Sequence, residues 1–235
     1  MTDSLLSEIY AFAQNYHSKD KSGHGFDHIR RVYENACRLL EKEKKADTFV
    51  VKAAALLHDV DDHKLGGDGN QAQNFLQSLN LPADKMNKIL AVIKSVGFSE
   101  SGSSPDFASI EQALVSDADK LDAMGAIGIC RTLVFGASRG GEMFNEMIFP
   151  KENLSKEEYK NLNRKENNSI NHFFDKLLKL KNAIKSEAAR AEAQKRHDYM
   201  VGFLREFFAE QNLAAWNDYL TEYLEKQNDS VSGAA

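Results

Sequence analysis

His28, the adjacent pair His58 and Asp59, and Asp119 are the residues of this chain best suited to chemistry. The pair follows the apolar run KAAALL, and Asp119 lies inside LVSDADKLDAMGAIGI; both stretches read as helical. A titratable imidazole beside a carboxylate, in a stretch composed for the core, needs a neutralising partner, because an unpaired buried charge costs several kcal/mol or more. A divalent cation is the economical one. Two imidazoles and two carboxylates form a mixed nitrogen and oxygen set that suits Mn, Fe, Co, Ni, Zn or Mg, with geometry and supply deciding among them. Two carboxylates without a thiolate make a poor closed tetrahedral zinc site.

Helices must gather these residues. Long segments of 3.6-residue period and only 3 prolines imply an all-α protein. Residues 3–16 form a first amphipathic helix. Asp27 is placed to cap a second, whose stripe Ile29, Val32, Tyr33, Ala36, Leu39 and Leu40 follows helical spacing. Asp47 begins a third that runs through Val50, Ala53, Ala54 and Leu57 to the His-Asp pair, before the glycines of 61–70 break it. Further helices are expected over 70–79, 83–96 and 110–135, with loops at 97–109 and 136–160. Loops of the latter length inside a compact domain often act as lids or binding segments. Ile170, Phe173, Phe174, Leu177 and Leu178 mark one C-terminal helical segment; Met200, Phe203, Leu204 and Phe207 mark a longer one. These phenylalanine stripes read as core. The tail 227–235 lacks apolar periodicity and is expected to be disordered.

A chain of 235 residues, 42% hydrophobic and 28% charged, has an ordinary globular composition. We read it as one domain with a C-terminal helical extension. A net charge of -5 argues against a nucleic-acid polymer as partner, which would call for a basic face. Cys37 and Cys130 both sit in helical patterns, which argues against a disulfide framework. The N-terminus lacks a basic region followed by an apolar one, so no signal peptide is expected. No stretch approaches the roughly 18 apolar residues of a spanning helix, so no membrane partner is expected. A cytoplasmic location follows as the expectation.

His28, His58, Asp59 and Asp119, in the contexts GHGFDHIRRV, LLHDV and SDADKLDA, resemble the HD-domain superfamily of metal-dependent phosphohydrolases over about residues 20–135. A lone HD dipeptide is weak, but an upstream His, a helical His-Asp and a downstream helical Asp in this order are far more specific. The chain is most similar to bacterial stand-alone members, which carry a motif like DADKLDAxGAIGI and a C-terminal stretch like HFFDKLLKLKNAI and AEAQKRHDYMVGFL. The resemblance implies an HD-domain helical bundle and one divalent metal ion, Mn preferred, on His28, His58, Asp59 and Asp119. It also implies hydrolysis of a (deoxy)nucleoside triphosphate to monophosphate and pyrophosphate. A 5′-nucleotidase, a cyclic-nucleotide phosphodiesterase and a non-catalytic nucleotide sensor are the rival readings. The protein is expected as a monomer or homodimer.

Around that metal set, further residues have expected roles. Asp119 and Asp122 are i, i+3 neighbours, while Asp117 lies about 200° round the axis from Asp119. Asp122 therefore either orients a ligand histidine or pairs with a nearby arginine. Attack by water needs a base or orienting group, for which Asp62 is the candidate and His63 the alternative; Asp61 is a weaker one. Lys120, matching the lysine of the family element, is the expected phosphate contact. Arg131, on the same face of a continuous helix, is placed to reach the far end of a polyphosphate. His24 and His63, and the basic residues Lys176, Arg190 and Arg196 beside His172, Lys195 and His197, complete the candidate substrate contacts, although a solvated helix face is the simpler reading for any single one of the C-terminal set. His17 has no evident partner and is expected at the surface.

Overall fold

Asp47 starts the helix that carries the central histidine. Its carboxylate accepts from Phe49 N at 3.1 Å and Val50 N at 3.2 Å, satisfying two of the free donors at a helix start. Helix α3 (Thr48–Leu57) follows, buried along its length except at Thr48 and Lys52. Consecutive alanines 53–55 keep it slim, so four helices close on it: α1 (Thr2–His17), α2 (Phe26–Lys42), α5 (Ala83–Ser95) and α6 (Ile110–Asp122). Helix α4 (Gln71–Ser78) leans on α5. The computed structural model describes residues 2–18, 25–61, 69–96, 108–150 and 168–232, and no strand occurs among them.

The local signals differ in detail from the sequence reading. Helix α2 is capped by Gly25, not Asp27; Asp27 sits in the first turn and pairs with Arg31 at 2.7 Å. Helix α3 stops at Leu57, with His58 as its C-cap, so the His-Asp pair lies just past the helix end. Asp61 serves the fold: its carboxylate accepts from Gln71 N at 2.8 Å and Ala72 N at 3.2 Å, capping α4 from across the glycine segment. His17, expected at the surface, is 2% exposed.

The largest correction concerns 110–135, read as one helix. It is two: α6 ends at Asp122 and α7 (Gly125–Ser138) leaves it bent by 68°. Gly125 has φ of +70°, a region L side chains rarely adopt, and a Cβ there would stand 3.1 Å from the Arg196 side chain. Gly128 lets the first turn of α7 sit against Ala123, whose carbonyl oxygen would be 2.3 Å from any Cβ. The sequence AMGAIG thus turns the chain at a corner where continuous helical period suggested none.

The C-terminal half consists of α8 (Asn171–Asp175), a 3-10 turn (Leu177–Ala183), α9 (Glu187–Glu210) and α10 (Ala214–Ser232). Helix α10 carries on through the tail expected to be disordered, as far as Ser232. Helix α9 packs on α7, α6, α2 and α10. Asp117 pins its start: the fully buried carboxylate accepts from Ser186 N and Ser186 Oγ, both at 2.7 Å, and from Lys185 N at 3.1 Å. The phenylalanine stripes are core, as their period indicated: Phe173, Phe174, Phe208 and Trp216 are buried. Trp216 stacks on Phe149 with ring centres 4.2 Å apart. Among the described residues no single helix is long and apolar enough to cross a membrane.

Candidate metal centre

Three elements converge where α2 begins and α3 and α6 end. His28 comes from the first turn of α2, His58 and Asp59 from the end of α3, and Asp119 from the last turn of α6. His28 Nε2 lies 3.4 Å from Asp59 Oδ2 and 3.5 Å from Asp119 Oδ1. His58 Nε2 lies 3.4 Å from Asp59 Oδ1 and 3.8 Å from Asp119 Oδ1. One ligand atom each from His28, His58 and Asp119 falls within 4.8 Å of the others.

The hydrogen bonds behind the rings decide what those nitrogens offer. His58 Nδ1 is 3.0 Å from the Ala55 carbonyl, which can only accept, so Nδ1 carries the proton and Nε2 presents a lone pair. That Nε2 is buried and has no hydrogen-bond partner among the described residues. A buried lone pair aimed at two carboxylates lacks the positive charge that would join them. His28 Nδ1 meets Asp122 Oδ2 at 2.7 Å, which directs its Nε2 into the same space. Donors bound at 2.0–2.2 Å to one ion stand about 3–3.5 Å apart; the observed spacings are only slightly wider. The donor set, the orphaned nitrogen and the spacing all fit a divalent cation.

Asp122 is the hub behind this centre. Besides His28 it accepts from Arg31 Nε at 2.6 Å and Nη2 at 3.2 Å, and from Arg131 Nη1 at 2.9 Å. Burial would lift its carboxyl, but the bonds from His28 and Arg31 and the nearby charges hold it well below the usual carboxylate range. Burial works against an imidazolium at His28, yet the bonds to Asp122 and Asp59 outweigh it and raise the group to about 9. The two readings of Asp122 from the sequence, histidine orienter and arginine partner, are both realised geometrically. Arg31 was overlooked; its position one turn after His28, four residues from Asp27, was the available signal.

The remaining candidates divide. Lys120 is buried, and its ammonium donates back along α6 to the carbonyl and hydroxyl of Ser116, so it does not extend to solvent. Burial lowers its pKa, partly offset by Asp117 and Asp119. Arg131 does not share a helix face with Lys120, because the chain turns at Gly125; it is spent on Asp122. Arg196 lies behind the α6–α7 corner, donating to Leu121 O at 2.5 Å and Glu192 at 2.7 Å. Arg190 is exposed and pairs with Glu187 on its own helix, and Lys176 sits at the junction between α8 and the 3-10 turn. His24, Asp62 and His63 lie outside the described residues.

Comparison with known proteins agrees with this geometry. The HD domain family model matches residues 25–124, which span all four cluster residues. YpgQ of Bacillus subtilis is 31% identical over 204 residues, covering 85% of this chain and 90% of the relative. A crystal structure of a Lactobacillus plantarum protein aligns with a TM-score of 0.78 at 36% identity, covering 90% of this chain and 98% of that one. An HD-superfamily hydrolase from Bacillus thuringiensis aligns with a TM-score of 0.70 at 34% identity, covering 90% and 99%. YpgQ itself has been crystallised in complex with ADP. The bundle, the convergent histidines and carboxylates, and these likenesses along nearly the whole length place this chain in the HD-domain superfamily of metal-dependent phosphohydrolases.

Proposed function

We propose that this protein hydrolyses small nucleotides with one divalent cation, Mn by preference, converting a (deoxy)nucleoside triphosphate to its monophosphate and pyrophosphate. The observation that carries the reading is the buried His58 Nε2, without a hydrogen-bond partner among the described residues and turned toward Asp59 and Asp119. The ADP complex of YpgQ supports a nucleotide as the ligand class.

His28, His58, Asp59 and Asp119 are the proposed ligands. When bound, the ion polarises a phosphoryl oxygen and lowers the pKa of water. Asp59 and Asp119 offset the ion's charge, and Asp122 and the Ala55 carbonyl keep the two Nε2 atoms aimed inward. Lys120, one residue past Asp119, is the proposed phosphate contact; reaching a substrate requires it to release Ser116. Asp62, with His63 as alternative, is the proposed orienting base for the attacking water. In Asp62→Asn the metal content should stay stoichiometric while turnover falls about 10²-fold or more; an unchanged rate removes Asp62 from the mechanism.

A panel of nucleoside mono-, di- and triphosphates and cyclic nucleotides with Mn, Mg, Co and Ni, read separately for pyrophosphate and orthophosphate, tests the assignment. Pyrophosphate from triphosphates is the expected product. Orthophosphate from monophosphates would replace this reading with a 5′-nucleotidase, and opening of cyclic nucleotides with a phosphodiesterase. Tight nucleotide binding without turnover would leave a sensor.

A further inference from the structure

A groove of about 290 Å³ runs along the outer side of α2, between that helix, the α6–α7 corner and Arg196 of α9. Arg31, Arg38 and Arg196 line it, and the opening turn of α7, which no side chain caps, forms the opposite wall. At its centre is Asn35, 3% exposed. The Asn35 amide nitrogen donates to the Ala118 carbonyl at 3.1 Å, which fixes its orientation and turns the carbonyl oxygen outward. That single neutral oxygen accepts from Arg38 Nη2 at 2.6 Å and stands 3.5 Å from Arg196 Nη2.

Two guanidinium groups sharing one uncharged acceptor repel each other. Arg196 Nε pairs with Glu192 at 2.7 Å on the side away from Asn35, whereas none of the carboxylates that line the groove pairs with Arg38. Asp122 is committed to His28, Arg31 and Arg131, and Glu34 turns outward to Arg30 at 2.9 Å. Arg38 forms no ion pair among the described residues. Guanidinium forks match phosphate oxygens in bidentate fashion, and free backbone N–H groups at a helix start add to the same preference.

We propose that this groove is a second ligand site, separate from the metal centre, that binds a phosphate-class anion of two or more charges such as a diphosphate. Arg38 and Arg196 clamp it across Asn35, and Arg31, held by Asp122 and Asp27, lines the same wall. Occupancy does not depend on the metal ion, so the inference stands or falls apart from the hydrolase reading.

The test is calorimetric titration of the full chain with inorganic pyrophosphate and, separately, orthophosphate, both with and without added Mn. Pyrophosphate should bind in both states, more tightly than orthophosphate, and weaken as salt rises. Arg38→Glu should weaken it at least tenfold in both states without changing Mn stoichiometry, and Arg38→Lys should recover part of the loss. A nucleoside diphosphate that competes with pyrophosphate, in protein lacking Mn, would identify the anion as a nucleotide's phosphates; no competition would identify the free anion. Binding that appears only with Mn would put the anion on the ion and overturn the proposal. Unchanged affinity in Arg38→Glu would overturn it too. A chain that turns over nucleotides yet fails the titration loses this groove and keeps its proposed activity.

Discussion

Around His58 the interior holds alanines, imidazoles and carboxylates; around Trp216 it holds rings. In the first region Ala53, Ala54 and Ala55 contribute little side-chain bulk, and what they permit is approach: α1, α2, α5 and α6 come close enough for polar atoms from three of the elements to meet within 4.8 Å. In the second, Phe149, Phe174, Phe208 and Trp216 pack ring against ring, with Trp216 Nε1 donating to Glu146 O at 3.1 Å and Tyr223 OH donating to Phe174 O at 2.6 Å. The aromatic region satisfies both of those polar handles. The histidine region leaves His58 Nε2 unsatisfied among the described residues. A folded chain tolerates such an atom where function supplies its partner.

That contrast separates substitutions by what they break. His58→Ala should remove metal binding and lower nucleotide turnover by more than 10³-fold, while far-UV circular dichroism stays native. Metal content by elemental analysis checks it; full activity would refute the assignment. Trp216→Ala should do the reverse, costing about 3–5 kcal/mol of stability through the void it leaves, with Mn affinity of the folded protein unchanged. Denaturant melts and Mn titration together distinguish the two classes of burial.

Asp122→Asn probes the boundary between them, since Asp122 is not a proposed metal ligand yet holds His28, Arg31 and Arg131. Loss of an outer-shell partner of this kind weakens metal affinity about 10–100-fold. A smaller shift in Mn affinity would mean that His28 is held by its packing alone.

The smallest expected effect is on acid stability and belongs to the C-terminal half. Burial pushes His172 down to about 3 and His197 down to about 4, against 6.5 for the free group. Both are neutral in the fold, and the unfolded chain takes up their protons first, so stability falls as pH drops below 6.5. Asp175 opposes this: burial lifts it to about 6, so the folded chain takes up its proton before the unfolded one. Two groups against one leave a net loss on the order of 2 kcal/mol between pH 6.5 and 5. Guanidinium melts across that range check the slope, and Asp175→Asn should steepen it.

The helices were legible because their signals are local. Asp47 as a cap, the alternation of apolar residues along α2, and the phenylalanine stripes of α8 and α9 each depend on neighbours within a few positions. The four cluster residues were legible because an imidazole beside a carboxylate in an apolar run has few other uses. The break at Gly125 was missed for a related reason: the apolar period runs straight through AMGAIG, and nothing local says that Arg196 must pass within 3.1 Å of that glycine.

Composition and period alone determined that this protein is helical and that a few polar residues were set apart from its core. Only the tertiary structure decided what each of them does. It turned Asp122 into a hub for partners 91 to 94 residues away at Arg31 and His28, and it gave Asp117 to the start of α9. It also drew three arginines into one groove. The physical reason is range: propensity and capping act over one or two turns, whereas a buried carboxylate takes whichever donors the packing of distant helices brings within about 3 Å.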